Sequence, residues 1–421
     1  MNLNKIIKLI IGKLDLAEYI FMRVFVMIVG FMLNILLVKK VTTTNYGVYS
    51  LAITVLGFLV TFGFDWNSSS LMFFGVEEKI KYGSLNRTFW ARNIILIPTY
   101  IIVGVFFFLF SFDINKYLTV PVAEYIFIWM TLKIFSNYLN SYFLSIEKRK
   151  FSIYIALTSK ISMLLLLLLC KKLSLNQIFI YFIIAEGTSL IWIIKINKKD
   201  IGKFIFDKII FKEVLFFGFW QLFGYSGLYF INFGDNLIIK YFLSVEDVGI
   251  YNIAYQLFMA MAGLSYLFAN YFAPQMIKAI QKKNIEKLEN IYKRDKIFLV
   301  ILVSLPHILV ILLAKKIIVE FYGINYVNAV FPLIILTFGS IIEYFSIFNM
   351  LIYNSFKKYK ILQILNIFQA LLNIIFDFLF IPKFGISGAA YGTVLSYIII
   401  VCIKTYYANK IIQKFKKEIF G

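Results

Sequence analysis

The chain has 421 residues, 61% of them hydrophobic, and its mean hydropathy is +0.83. Soluble domains contain about 45–50% apolar residues, so this composition excludes a soluble globular protein and indicates a polytopic membrane protein. The formal net charge of +21 would suit nucleic-acid binding, but the basic residues stand in short segments between apolar runs, which indicates membrane orientation instead. Two cysteines, Cys170 and Cys402, lie at or within apolar runs and imply no disulfide framework.

Twelve apolar runs are long enough to cross a bilayer, which requires about 20 residues each. Their length and near-absence of period-two alternation predict helices rather than strands. We therefore expect an all-α integral membrane protein with twelve transmembrane helices. The predicted spans are 17–38, 46–70, 89–110, 121–144, 153–170, 177–195, 213–241, 248–272, 296–314, 330–353, 361–381 and 388–409.

The distribution of lysine and arginine predicts the orientation of these spans. Alternate connecting segments, counted from the N-terminus, contain 31 basic residues, whereas the segments between them contain 9. The remaining three, Arg23, Lys133 and Lys160, fall within predicted spans. The positive-inside rule therefore places both termini in the cytoplasm. The acidic residues Asp65 and Glu343 are expected near the membrane interfaces, in contact with solvent.

A long basic loop near the midpoint, 195–212, predicts two six-helix bundles formed by residues 1–200 and 201–421. A weak internal repeat supports this division, because NYGVYSLA at 45–52 aligns with DVGIYNIA at 247–254, an offset of 202 residues. A six-helix unit repeats in the same membrane orientation, so the bundles are expected to be related by a pseudo-two-fold axis along the membrane normal. The other long inner segment, 274–296, predicts a basic amphipathic helix on an anionic leaflet.

Three motifs carry a resemblance to a known family. They are IPKFGISGAA at 381–390, FYGINYVNA at 321–329 and GIYNIA at 249–254. These motifs resemble those of O-antigen and capsule repeat-unit flippases, within the multidrug/oligosaccharidyl-lipid/polysaccharide exporter superfamily. The resemblance extends over the whole chain in length and number of spans. It implies a V-shaped pair of bundles with alternating access, in the bacterial cytoplasmic membrane.

The resemblance also implies a cargo and partners. The cargo would be an undecaprenyl-diphosphate-linked oligosaccharide, moved from the inner to the outer leaflet with coupling to Na⁺ or H⁺ and no other cofactor. Expected partners are anionic lipids, a polysaccharide polymerase and a chain-length regulator, but no nucleic acid. Two alternatives remain: a cation-coupled multidrug exporter, against which the basic spans argue, and a membrane-embedded glycan enzyme. Since His307 is the only histidine and the chain has no Gly-rich phosphate loop, we expect no enzyme and no catalytic residue.

Basic residues inside the N-terminal spans predict a substrate site. A cation at the bilayer centre costs about 2.5–3.5 kcal/mol on insertion scales, so Arg23, Lys133 and Lys160 are each expected to face a cavity or a partner. The diphosphate of the cargo matches them in charge. Asn137 and Asn140 follow Lys133 at i+4 and i+7 and extend the polar face of that helix. The alternative is internal ion pairing with Glu18, Glu124 or Glu186.

The C-terminal half contains a different set, Asp235, Asn373, Asp377 and Thr393. Three of them, Asp235, Asp377 and Thr393, are predicted to lie at similar depth in the outer half of the membrane. Some lipid-linked flippases of this superfamily resemble this arrangement, which implies a coupling site for Na⁺; alternatively, the two carboxylates share a proton. Interhelical hydrogen bonding, worth about 0.6 kcal/mol per bond, is the structural alternative. On the eleventh span the polar stripe consists of Asn366, Gln369, Asn373 and Asp377.

Overall fold

The computed structural model describes residues 3–199 and 201–420, and all regular elements within these ranges are helical. The predicted all-α class is confirmed. Short 3₁₀ or π segments are Asp65–Asn67, Leu71–Gly75, Leu190–Lys195, Asn290–Asp295 and Ile324–Ala329. The α-helices are α1 (Leu3–Lys40), α2 (Thr43–Gly63), α3 (Val76–Tyr82), α4 (Asn86–Leu109), α5 (Ser111–Leu118), α6 (Ala123–Ser145), α7 (Arg149–Leu169), α8 (Leu175–Ser189), α9 (Lys208–Phe242), α10 (Val245–Gly263), α11 (Ser265–Gln281), α12 (Ile285–Glu289), α13 (Lys296–Phe321), α14 (Val330–Ser355), α15 (Tyr359–Phe384) and α16 (Ile386–Phe420).

Ten helical segments of the described residues are long and apolar enough to cross a membrane. The number becomes eleven if α5 and α6, which meet at a bend of 106°, form one broken span. The predicted span at 248–272 is not among them, because this region forms two helices that meet near Gly263. The total of twelve spans therefore stays a prediction. The internal pseudo-symmetry and the cytoplasmic position of the termini also stay predictions. The terminal residues Met1, Asn2 and Gly421 lie outside the described residues.

The chain divides into two compact units. The N-terminal unit comprises Met1–Thr42 and Val55–Leu222, and the C-terminal unit comprises Thr43–Thr54 and Phe223–Gly421. The second boundary falls inside α9 rather than in the basic loop that precedes this helix. The predicted boundary after residue 200 stays a prediction.

Within the C-terminal unit, α14 packs against α10, α11, α13 and α16. The predicted amphipathic segment forms the end of α11, α12 and the helical segment Asn290–Asp295, and several of its apolar side chains are buried against other helices. Leu288 and Tyr292 are buried in a cluster with Ile412 of α16. The reason is that α16 continues to Phe420 and supplies apolar partners that cover this face. The lysines of the segment remain exposed at positions 282, 283 and 287.

Candidate functional site

Five side chains predicted to bind substrate line one pocket of about 170 Å³ in the N-terminal unit. Arg23 comes from α1 and Lys160 from α7. Lys133, Asn137 and Asn140 come from α6, where their spacing places them on one side of the helix. The structure thus brings the predicted set together from three helices.

Lys160 reaches from α7 to the backbone of α1. Its Nζ donates a hydrogen bond to the carbonyl oxygen of Val26 at 3.0 Å. Gly30, one turn further along α1, leaves the space that the ammonium group occupies, since a Cβ on this residue would lie 2.6 Å from Lys160 Nζ. Sequence alone does not single out Gly30, because a glycine in an apolar helix only indicates close approach by an unspecified neighbour.

Glu186 is the acidic member of the pocket lining. Its Oε2 lies 3.5 Å from Lys133 Nζ and accepts a hydrogen bond from Ser159 Oγ at 3.3 Å. Ion pairing, the predicted alternative, is therefore present for Lys133. Glu18 instead pairs with Lys150, at 2.7 Å. Among the described residues that line the pocket, three carry positive charge and one carries negative charge, so the lining remains net positive.

Asp65 orients one of the two asparagines of the pocket. It follows α2 in the 3₁₀ segment, is half-buried, and accepts a hydrogen bond from Asn137 Nδ2 at 3.0 Å. A carboxylate accepts hydrogen bonds, so the amide nitrogen of Asn137 must point toward it, which leaves Asn137 Oδ1 as an acceptor. Asn140 Oδ1 accepts from the hydroxyl of Ser152, which leaves its amide nitrogen as a donor. The lining therefore offers one amide acceptor and one amide donor beside its charges.

Arg92 is a further cation of the N-terminal unit. The count of basic residues in the connecting segments wrongly includes it. It lies in α4 and is completely buried, with its guanidinium carbon 4.6 Å from the ring centroid of Tyr138 and 5.5 Å from that of Phe64. Its three side-chain nitrogens have no hydrogen-bond partner within the described part of the chain. Arg92 does not line the pocket. The predicted span 89–110 contains this position, so the sequence does indicate a basic residue within a span here.

The predicted cation-site residues also come together, inside the C-terminal unit. Asp235 of α9, Asn373 and Asp377 of α15, and Thr393 of α16 are each no more than 2% exposed. Thr393 Oγ1 donates to Asp235 Oδ2 at 2.9 Å, and Asn373 Nδ2 donates to Thr393 Oγ1 at 3.4 Å. We call these four residues the carboxylate cluster.

Two further residues support the carboxylate cluster. Tyr251 of α10 donates its phenolic hydrogen to Asp235 Oδ2, the oxygen that also accepts from Thr393. Gly392 lets Asp377 approach α16, since a Cβ at this position would lie 2.4 Å from Asp377 Oδ1. Tyr251 and Thr393 thus fix one carboxylate, while Gly392 makes room for the other.

The carboxylate cluster contains buried oxygens that lack a donor. Asp235 Oδ1, Asn373 Oδ1 and both carboxylate oxygens of Asp377 have no hydrogen-bond partner among the described residues. The two carboxylates lie close enough to interact directly. A buried acceptor without a partner costs about 1–3 kcal/mol, and more when it is charged. This arrangement can be satisfied by a bound cation or by a proton shared between the carboxylates.

The polar stripe on α15 does not form one site. Its other two members, Asn366 and Gln369, accept hydrogen bonds from Lys404 Nζ of α16 at 3.1 and 3.4 Å. Lys404 is only 5% exposed, so the count of basic residues in the connecting segments wrongly includes it as well. Glu343, expected in contact with solvent, is half-buried on α14 and interacts electrostatically with Lys404.

A family model described as "Polysaccharide biosynthesis protein" matches residues 16–271, more than half of the chain. The chain belongs to this family. The predicted family is thereby confirmed.

One curated relative of this family member is an uncharacterized membrane protein of Methanocaldococcus jannaschii. It is 28% identical over 246 residues, which cover 55% of this chain and 47% of the relative. The chain therefore spans about half the length of the curated relative that it matches.

Solved structures share the fold at low sequence identity. The lipid II flippase MurJ, in an inward closed conformation, has a TM-score of 0.73 and 20% identity, with coverage of 95% of this chain and 90% of the flippase. An inward-facing multidrug resistance transporter of the MATE family and the MOP superfamily has a TM-score of 0.72 and 14% identity, with 92% and 95% coverage. The chain therefore shares the fold of this flippase and this transporter.

Proposed function

We propose that this protein is a flippase, not an enzyme, that moves undecaprenyl-diphosphate-linked oligosaccharide across the bacterial cytoplasmic membrane by alternating access. Its cargo is an O-antigen or capsule repeat unit, taken from the inner to the outer leaflet. The family supports a role in polysaccharide biosynthesis, and the fold similarity to a lipid II flippase supports a lipid-linked cargo.

The observation that carries the proposal is the charge of the pocket in the N-terminal unit. Three cations and one carboxylate line it, within helices that are otherwise apolar. The guanidinium of Arg23 can donate two parallel hydrogen bonds to phosphate oxygens, and each lysine adds a point charge. Asn137 and Asn140 would bind sugar hydroxyls, which can donate to the amide oxygen of one residue and accept from the amide nitrogen of the other.

The carboxylate cluster is the proposed coupling site for Na⁺ or H⁺. Its unpaired oxygens are ligands for a hard cation, and its two adjacent carboxylates can hold a proton instead. The ion shifts the balance between inward-open and outward-open states only by its different affinity for the two states. The proposal includes no other cofactor.

The proposed partners follow from the cargo and the surface charge. A polysaccharide polymerase and a chain-length regulator would take the cargo further, and no nucleic acid is involved. Anionic lipids would contact the exposed lysines at positions 282, 283 and 287.

A cation-coupled multidrug exporter is the second candidate, and the fold similarity to MATE transporters favours it. Its cationic substrates would be repelled by the three basic side chains of the pocket. The two candidates therefore predict opposite charge preferences for the cargo.

Transport by the purified protein in proteoliposomes distinguishes the candidates. We expect it to move undecaprenyl-diphosphate-linked oligosaccharide between leaflets faster than protein-free liposomes do, and to leave a fluorescent organic cation in place. Movement of the organic cation, with none of the lipid-linked glycan, would overturn the proposal in favour of the exporter.

A further inference from the structure

The polar stripe on α15 has two parts that present similar oxygen atoms but differ in what those oxygens contact. Asn373 and Asp377 contribute oxygens to the carboxylate cluster, where several oxygens lack a donor. One turn toward the N-terminus of α15, Asn366 and Gln369 direct their amide oxygens at Lys404 Nζ. Glu343 of α14 adds a negative charge that acts on the same ammonium group at longer range, without a direct ion pair. Amide and carboxylate oxygens around a positive charge are also the ligands that a metal cation takes.

The backbone beside Lys404 is held by buried side chains of α14. The hydroxyl of Tyr353 donates to the carbonyl oxygen of Lys404 at 2.9 Å. Asn349 Nδ2 donates to Thr405 Oγ1 at 2.9 Å. Both α14 residues are fully buried. These bonds fix α16 at this level, so the ammonium group keeps its position against α15.

We propose that the ammonium group of Lys404 is a built-in cation that occupies a second cation-binding site, and that its removal opens this site to a monovalent metal ion such as Na⁺. The ligands would be Asn366 Oδ1 and Gln369 Oε1, and the carboxylate of Glu343 would add negative charge from a longer distance. This inference extends the proposed coupling at the carboxylate cluster. It rests on that proposal in one respect, since the carboxylate cluster is then the one site at which the natural protein exchanges a cation. Lys404 would thereby limit the C-terminal unit to one exchangeable ion.

The test is the number of Na⁺ ions bound by the full-length protein in detergent, measured with radioactive Na⁺ at equilibrium. The natural protein is expected to bind one ion, and Lys404→Ala two. Lys404→Met keeps the apolar stem in the space, so it should still bind one. The double variant Lys404→Ala/Gln369→Leu lacks one ligand and should lose the additional ion. Lys410→Ala, an exposed position on the same helix, is the matched control and should bind one.

Thermal unfolding gives an independent reading from the same samples. Added Na⁺ or methylammonium should raise the Tm of Lys404→Ala by several degrees more than that of the natural protein or of Lys404→Met, because either ion replaces the missing ammonium. A variant stable enough to purify only with one of these ions present would support the inference in the same way. Failure to purify with either ion would contradict it.

The outcomes separate this inference from the proposed coupling. If the natural protein binds no Na⁺ but Lys404→Ala binds one, the built-in cation is supported and Na⁺ coupling at the carboxylate cluster fails. If the natural protein and Lys404→Ala bind the same number of ions, and neither ion raises the Tm of the variant selectively, the inference is overturned whatever the coupling.

Discussion

The proposed sites of the two units differ in the charge of their lining. The pocket of the N-terminal unit has three cations and one carboxylate in its lining, whereas the carboxylate cluster of the C-terminal unit joins two carboxylates with an amide and a hydroxyl. Buried charges are expensive in a membrane and are expected to face a partner. The difference therefore supports the two kinds of ligand that we propose, an anion for the first unit and a cation for the second.

The largest expected effect follows from removing the cations of the pocket. Changing Arg23→Gln, Lys133→Met and Lys160→Met together should lower the rate of glycan flipping by at least about 100-fold, since hydrogen bonds to charged groups contribute about 1.5–3 kcal/mol each. The measurement is transport in proteoliposomes. A matched control changes the exposed lysines at positions 282, 283 and 287 to methionine, and it should retain most activity. Equal losses of flipping rate in both triple variants would show that the rate depends on the total charge of the protein and not on the cations of the pocket.

The carboxylate cluster is tested by Asp377→Asn, which removes one negative charge and keeps the shape of the side chain. We expect the dependence of transport on Na⁺ or pH to disappear and the maximal rate to fall about tenfold, a change of about 1.4 kcal/mol. Glu286→Gln, an exposed position of the same unit, is the control and should keep the ion dependence. Unchanged ion dependence in Asp377→Asn would remove the cluster from the coupling proposal.

A smaller effect is expected from Gly30→Ala. The added methyl group would lie 2.6 Å from Lys160 Nζ, so the ammonium group must shift from its present position. We predict a three- to tenfold lower affinity for the cargo, since one charge moves but is not lost. Gly187→Ala in α8 is the matched control, because a Cβ there meets no atom within 4 Å. Cargo titrations on both variants compare them directly, and equal affinities would contradict the assigned position of Lys160.

The smallest effect is expected from Arg92→Met, which removes a cation of the N-terminal unit outside the pocket. Cargo affinity should change less than threefold. The thermal stability should be unchanged or higher, because a buried charge without hydrogen bonds is costly and the substitution removes that cost. A loss as large as that of the triple variant Arg23→Gln/Lys133→Met/Lys160→Met would extend the anion site to Arg92.

The sequence predicts much of this arrangement because charge in an apolar helix is a strong signal. Arg23, Lys133 and Lys160 stand out against their surroundings, and helical spacing correctly groups Lys133 with Asn137 and Asn140. The motif at 381–390 indicates the family, which the match over 16–271 confirms. The use of these residues in binding cargo or ions remains a proposal.

The remainder depends on contacts between helices, which spacing along one helix does not reveal. Arg92 and Lys404 lie near predicted span ends, so counting assigned them to loops, although both are buried. The stripe on α15 is uniform by spacing, yet Lys404 contacts one part of it and Thr393 the other. Tyr251 is one of many tyrosines in apolar helices, and only the structure shows that its hydroxyl donates a hydrogen bond to Asp235.

The most direct test of the opposite charges is binding of undecaprenyl diphosphate and of uncharged undecaprenol to the purified protein. We predict that the natural protein binds the diphosphate at least about 100-fold more tightly, and that the Arg23→Gln/Lys133→Met/Lys160→Met variant binds both lipids alike. An unchanged preference for the diphosphate in that variant, correctly folded, would contradict the central claim that these three cations receive an anionic headgroup.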